Sequence, residues 1–413
     1  MRHAIVRRAI VATVLAAWHS CASAQDRAVW HEYPDAFKQR LGQRIEPATR
    51  PGEPGPVLML DSSTVDAPKS PADFKQAWHQ PPVSQGLTGQ CWDFSATSFL
   101  ESEVHRQTGR ELRLSVAHTY YWEFVEKARE SVRTRGQSVF NRGSEPDAVL
   151  RIWRSYGVVP AEAYCGLAAG HEILQDAAAY HEIAAHLAKV KLEGRWDDSL
   201  VVAAVRRILD KHLGRPPETV TTDGKVMTPR EYLRQVVRLD LDDYVSVMST
   251  MQVPYDQWSE FKVVDNWWHS RRYYNVRLDD FVRVIRHAAR VGRTVCLGID
   301  NTEPGYCFRE GFAVVPTFDI PPVLIDDGAR QMRLFNASTS DDHDVHLVGW
   351  LEKEGQMWYL IKDSGTKAWN NSHNGYMFYR EDYVRLKVLC ALLSRDIIEQ
   401  ALGRGIGMPP LDR

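Results

Sequence analysis

The chain has 413 residues, with 51 Lys and Arg against 53 Asp and Glu, a net charge of −2 and 44% hydrophobic residues. That length allows two or three domains, or one enzyme fold carrying a large insertion. The near-neutral balance argues against a dedicated nucleic-acid binder, and 13 Trp, 16 Tyr and 13 Phe are too many aromatics for a disordered chain.

Residues 1–8 carry three Arg and no acid, residues 9–17 are a short apolar run, and Ala22-Ser23-Ala24 precedes Gln25. This order reads as a secretory signal peptide over 1–24 and predicts an exported, periplasmic or secreted protein. The alternative is an uncleaved anchor. The apolar run is too short to span a bilayer and no later stretch reaches that length, so no membrane association is expected after cleavage. Five Cys then remain: Cys91, Cys165, Cys296, Cys307 and Cys390. An odd count in an exported protein suggests one free thiol. If the other four pair, Cys91 is the one left over; the pairing itself cannot be read from spacing. No clustered Cys/His spacing implies zinc, and no other cofactor or metal is implied.

Residues 25–80 are rich in Pro, Gly and Asp and read as an extended arm over the surface. A Pro/Gly/Ser/Gln loop over 81–90 leads into a helical pattern beginning at Cys91, with Trp92, Ala96, Phe99, Leu100 and Val104 at helical spacing. Residues 171–213 read as helical, stopping before Gly214 and Pro216-Pro217. Asp279 to Arg290 is a further amphipathic helix. After it the texture changes: Val295–Ile299, Val345–Leu351, Trp358–Lys362 and Tyr376–Tyr379 read as strands, with Glu352–Gln356 as a turn.

A glycine-rich loop feeding a helix puts Cys91 at the helix N-terminus, where unpaired N–H groups and the helix dipole favour an anion. Such a site lowers a Cys pKa from about 8.5 into the range of roughly 3.5–7.5. Gln85, across the loop, is positioned to join the Cys91 backbone N–H as an oxyanion donor. Cys-Trp alone is equally compatible with a buried, inert cysteine. Of the 15 His, His105, His181, His186, His212 and His287 lie in helical segments and read as surface or satisfied core residues. His343 opens a strand, where a side chain projects into a cleft, whereas His346 falls within it and reads as a packing residue. A hairpin returns the chain to Asp363, which can orient the His343 imidazole. Cys, His and acid in that order is an activated-nucleophile arrangement.

These residues resemble the papain superfamily of cysteine peptidases, in its bleomycin hydrolase and aminopeptidase C branch. The likeness rests on QGLTGQCWDFSA (85–96), YGVVPAEAY (156–164), YYNVRLDDF (273–281), DDHDVHLVGW (341–350) and NGYMFYREDYVRLK (374–387), collinear from about 80 to 400. In the papain type the His follows the Cys by roughly 130–150 residues; here the interval is 252, and the helical stretch 165–260 supplies the excess. The resemblance implies an α+β, papain-like fold over 81–413. It would have a helical lobe bearing Cys91, a β-barrel lobe at about 291–390 bearing His343, and a large helical insertion. It also implies aminopeptidase or broad peptidase activity on peptide substrates, and a homohexameric ring with inward-facing sites.

Two departures are local. Asp363-Ser364-Gly365 stands where the family has Asn-Ser-Trp-Gly, so the shielding Trp is missing and Trp369 is the candidate to replace it. The ending GIGMPPLDR does not match the tail that restricts intracellular members to free N-termini. Two further readings compete with a peptidase. One is acyl transfer to an amine, as in transglutaminases, which share GQCW and the Cys-His-Asp order. The other is a catalytically weakened paralogue that binds peptides or a protein partner, motivated by Asp363.

Overall fold

The computed structural model describes residues 26–32, 34–43, 55–167 and 172–410; the leader expected over 1–24 lies outside them. Within the N-terminal segment are β1 (Ala28–His31), α1 (Ala36–Gly42), β2 (Val57–Leu60) and β3 (Lys75–Gln76). β1 and β2 pair antiparallel. The segment is more than the surface arm its composition predicts. Met59, Leu60, Ala67 and Phe74 are buried in a core shared with Trp358, Leu360 and Phe378, because the Pro-rich stretches fix extended backbone while the apolar residues between them dock.

The helical lobe follows. It contains α2 (Cys91–Thr108), α3 (Val116–Arg133), α4 (Asp147–Tyr156), α5 (Ala177–Glu193) and α6 (Asp198–Leu213). α2 is buried nearly all round, including polar Asp93, Ser98, Glu101 and Glu103, as befits a helix at the centre of a fold rather than on its surface. Trp92, Phe99, Leu100, Trp153, Ile183 and Leu209 tie it to the other helices in one core. The helical stretch expected over 171–213 is two helices, divided at Gly194, which closes α5 in the left-handed conformation.

The insertion is less helical than expected. After α6 come a small hairpin, β4 (Val220–Thr222) and β5 (Lys225–Met227), and a short α7 (Pro229–Tyr232). β6 (Tyr244–Met248), β7 (Gln257–Ser259) and β8 (Tyr273–Asn275) already belong to the main sheet. β6 reads YVSVM and is buried on both faces, Ser246 included, as suits an interior strand.

Next come α8 (Leu278–Arg290), β9 (Val295–Ile299), β10 (Tyr306–Cys307), β11 (Phe312–Ala313), α9 (Asp327–Phe335), β12 (His343–Lys353) and β13 (Gln356–Lys362). β14 (Tyr376–Arg380), α10 (Glu381–Lys387), β15 (Val388–Ser394) and α11 (Arg395–Leu402) complete the order. The sheet runs β10-β11-β14-β13-β12-β9-β15-β6-β8-β7, with β3 added to β12. This is an open path, not the closed barrel expected: β10 and β7 end it and do not pair with each other. β12 and β13 form a hairpin through a two-residue turn, Glu354 (φ 50°) and Gly355 (φ 73°), whose left-handed backbone matches the strand twist. The register His346↔Lys362 brings the start of β12 beside the end of β13.

Among the described residues no helix is long and apolar enough to cross a membrane. All five described Cys are free thiols, so the pairing of four that the odd count allowed does not occur. Cys307 sits in the core shared with the N-terminal segment and Cys165 is exposed. Cys296 and Cys390 face polar partners instead of each other: Ser95 Oγ at 3.2 Å and Glu145 Oε2 at 3.8 Å.

Candidate active site

Cys91 is the first residue of α2, at the seam between the helical lobe and β12. The loop that delivers it is pinned from two sides. Gln85 N–H donates to the Ser364 carbonyl (2.9 Å) and Leu87 N–H to the Leu174 carbonyl (2.8 Å). Gly86 takes φ 65°, and a Cβ there would stand 2.4 Å from the Leu174 carbonyl oxygen; only glycine fits. The buried Asp176 accepts from Gly89 N–H (3.1 Å), Gln90 Nε2 (2.6 Å) and Arg142 Nη1 (2.9 Å). Gln90 in turn accepts from Trp92 Nε1 (3.0 Å).

His343 opens β12 and is buried at 7% exposure. Its Nε2–H donates to Asp363 Oδ1 at 2.8 Å. Its other ring nitrogen, Nδ1, is not engaged by Asp363, and the Cys91 side chain acts on the charge of the ring. Burial opposes charging this ring. The Asp363 carboxylate, its hydrogen bond and the Cys91 side chain outweigh burial and hold the His343 pKa well above the ordinary value. Asp363 is itself held by Gly365 N–H on Oδ1 (2.7 Å) and by the Tyr306 hydroxyl on Oδ2 (3.1 Å). Of the three residues singled out from the sequence, His343 and Asp363 are bonded to each other, and Cys91 is the first residue of the helix packed against β12.

Gln85 lies beside them. Its Oε1 accepts from Ser364 Oγ (2.7 Å) and its Nε2 donates to the Thr88 carbonyl (2.9 Å), so the amide is fixed in orientation with one N–H committed to its own loop. Trp369 does not take the place expected of it. It stacks on Phe37 (5.6 Å between ring centroids) and packs against Gly375. The backbone of Gly365 lies against the His343–Asp363 bond instead: a Cβ there would stand 2.9 Å from His343 Cε1 and 3.1 Å from Asp363 Oδ1. His346, within β12, bonds Ser98 Oγ through Nδ1 (2.8 Å) and is fully buried, in line with the packing role read from its position.

A family profile described as "Peptidase C1-like family" matches residues 63–404. The chain belongs to that family. Within it the chain is a distant member of the aminopeptidase C branch of papain-like cysteine peptidases. Aminopeptidase C of Streptococcus thermophilus is 23% identical over 373 residues, 75% of this chain and 82% of the relative. Aminopeptidase C of Listeria innocua is 23% identical over 393 residues, covering 82% and 87%. The solved structure of PepW from Lactobacillus rhamnosis HN001 superposes with a TM-score of 0.61 at 19% identity, over 83% of this chain and 86% of that one, a likeness of fold.

Sequence reading missed two features of this family member. One is Asp176, whose link to the Cys91 loop spans about 85 residues of chain and carries no local pattern. The other is a buried acidic group behind the site. Burial, then the charge of Cys91, raises the Asp344 pKa well above the carboxylate range. Burial, then Asp341, does the same for Glu145, whose Oε2 accepts from the Tyr273 hydroxyl (3.1 Å). The run Asp341-Asp342-His343-Asp344 is visible in the sequence, but not which carboxyls turn inward. Among the described residues, no group of three or more His, Cys, Asp or Glu is arranged to hold a metal ion.

Proposed function

We propose that the chain hydrolyses peptide bonds by thiolate catalysis, with Cys91 as nucleophile, His343 as general base and acid, Asp363 as the residue that orients His343, and Gln85 as an oxyanion donor. The observation that carries this reading is one buried imidazole bonded to the Asp363 carboxylate (2.8 Å), its charge also influenced by the thiol at the start of α2. Cys91 gives its proton to His343 to attack as the thiolate, and the raised imidazole pKa favours the imidazolium so formed. The thiolate adds to the scissile carbonyl, and the carbonyl π electrons move onto oxygen. The oxyanion is met by the Cys91 backbone N–H and the second N–H of Gln85 Nε2. His343 then gives its proton to the leaving amine as the C–N bond breaks, and an acyl-thioester remains. Water loses a proton to His343 as it attacks, and the thiolate departs.

The relatives named aminopeptidase C support action from the N-terminus of peptides as the mode. A binding-only role is disfavoured by the retained Cys91 and the His343–Asp363 bond, and amine transfer by the collinear family match. Replacing Cys91 by Ala should reduce hydrolysis of aminoacyl and N-blocked fluorogenic peptides by at least about 10³-fold, with the thermal midpoint nearly unchanged. Activity surviving in this variant removes the mechanism.

A further inference from the structure

A cavity of about 420 Å³ opens beside His343, with Gln85 and Asp363 in the same wall, within the size range of small-ligand sites. The N-terminal segment supplies another part of its wall: Asp35 and Lys38, at the start of α1, line it. This wall is fastened to the β lobe. Asp35 Oδ1 accepts from Asn370 Nδ2 (2.8 Å), its Oδ2 accepts from Thr366 Oγ1, and Phe37 N–H donates to Asn370 Oδ1 (2.8 Å). Phe37 stacks on Trp369. The N-terminal segment is thus a fixed part of the cleft.

Chemistry tells which part. The imidazolium hands its proton to the departing amine, so the segment that follows the cut bond lies against His343. A cavity walled by His343 and Gln85 is on that leaving-group side. Its charges are unequal. Asp35 and Asp363 each accept three hydrogen bonds. Arg142 is paired with Asp176 and Lys367 donates to the Asn301 carbonyl and side chain (3.0 Å each). Lys38 is exposed and forms no ion pair with a described residue. Lys38 is thus the cation of this cavity left to pair with a carboxylate, beside a His343 that favours its charged form.

We propose, on the peptidase reading above, that this cavity is a leaving-group subsite for a carboxylate carried within the first two residues after the scissile bond, with Lys38 as its counter-ion. That carboxylate is either the C-terminus of a short substrate or an acidic side chain. The site would then favour cuts near a peptide's C-terminal end or ahead of acidic residues, whatever it does at the N-terminal side.

The test uses peptides with a free α-amine and one identical residue ahead of the cut bond, followed by Ala-Ala with a free carboxylate, by Ala-Ala-amide, or by Ala-Asp-amide. The full chain and its Lys38→Met variant are compared. The free-carboxylate peptide should show a KM about two- to fivefold below that of the amide, the scale of a partly exposed ion pair, with kcat little changed. Lys38→Met should erase the difference. An equal gain for Ala-Asp-amide supports the subsite with a side-chain carboxylate as its ligand. A KM that ignores the carboxylate, or a preference that survives in Lys38→Met, overturns the proposal. If no peptide is cut, the peptidase reading fails separately. Calorimetric titration with Ala-Ala against Ala-Ala-amide then decides the subsite without turnover: tighter binding of the acid, lost in Lys38→Met, supports it, and equal binding refutes it.

Discussion

Asp363 is the residue at which this chain parts from its family's pattern. As a carboxylate it accepts three hydrogen bonds, from His343, Gly365 N–H and the Tyr306 hydroxyl, and its charge is the largest contribution raising the His343 pKa. An Asn would keep the acceptor for His343 and lose the charge. In Asp363→Asn the folded imidazole pKa should fall. The imidazolium persists only until the pH climbs through that value, so the alkaline limb of kcat/KM should move to lower pH while activity near neutrality remains. A limb that stays in place would show that the carboxylate charge does not set the imidazole. Much of this constellation was legible in the sequence. Cys91 followed a loop and opened a helical pattern, His343 opened a strand, and a hairpin joined it to Asp363. Tyr306 was not legible, because it reaches Asp363 from a two-residue strand whose place in the sheet no local pattern specifies.

At the scale of elements, the Cys91 loop depends on a contact with the insertion. Asp176 sits immediately before α5 and caps nothing in that helix; its oxygens serve Gly89, Gln90 and Arg142. Replacing it by Ala would strand buried donors and leave Arg142 without its partner. The expected cost is about 2–3 kcal/mol, seen as a lower denaturation midpoint, together with reduced kcat as the first turn of α2 loosens. An unchanged midpoint would assign the loop's order to Gly86 and Ser364 instead. The helices and strands themselves were readable where one periodicity held for a full element, as in α8 and β9. The insertion was misread beyond α7 because β6 is buried on both faces, and a short continuous apolar run does not distinguish buried strand from buried helix. The closed barrel failed for a similar reason: closure depends on which strands lie at the ends, and sequence pattern does not encode strand order.

At the scale of the whole molecule, the buried ionisable groups set how stability responds to pH. His343 has a folded pKa above its unfolded value, so its contribution is complete below about 6.5 and is lost as pH rises through the folded value. Glu145 is a raised acid: the fold keeps its proton while the unfolded chain releases it above about pH 4.3. The unfolded state then binds fewer protons, and stability again falls with rising pH. Both add a decline in stability, read as thermal midpoints, from about pH 5 to about pH 8, opposed by the buried His79, His118 and His346, whose lowered pKa values favour the fold as pH rises. Glu145→Gln should flatten that decline, and an unaltered slope would mean that this carboxyl titrates as an ordinary one.

The open sheet has one more outcome. Its two terminal strands are stubs, two residues in β10 and three in β7, and its longest strand, β12, pairs with β13 over 346–353 on one side and with β9 and then β3 between 343 and 350 on the other. A foreign strand looking for a row of unused amides finds almost no rail to zip onto. Leaving the sheet unclosed therefore costs the molecule little in self-association, provided the two residues of β3 stay in place.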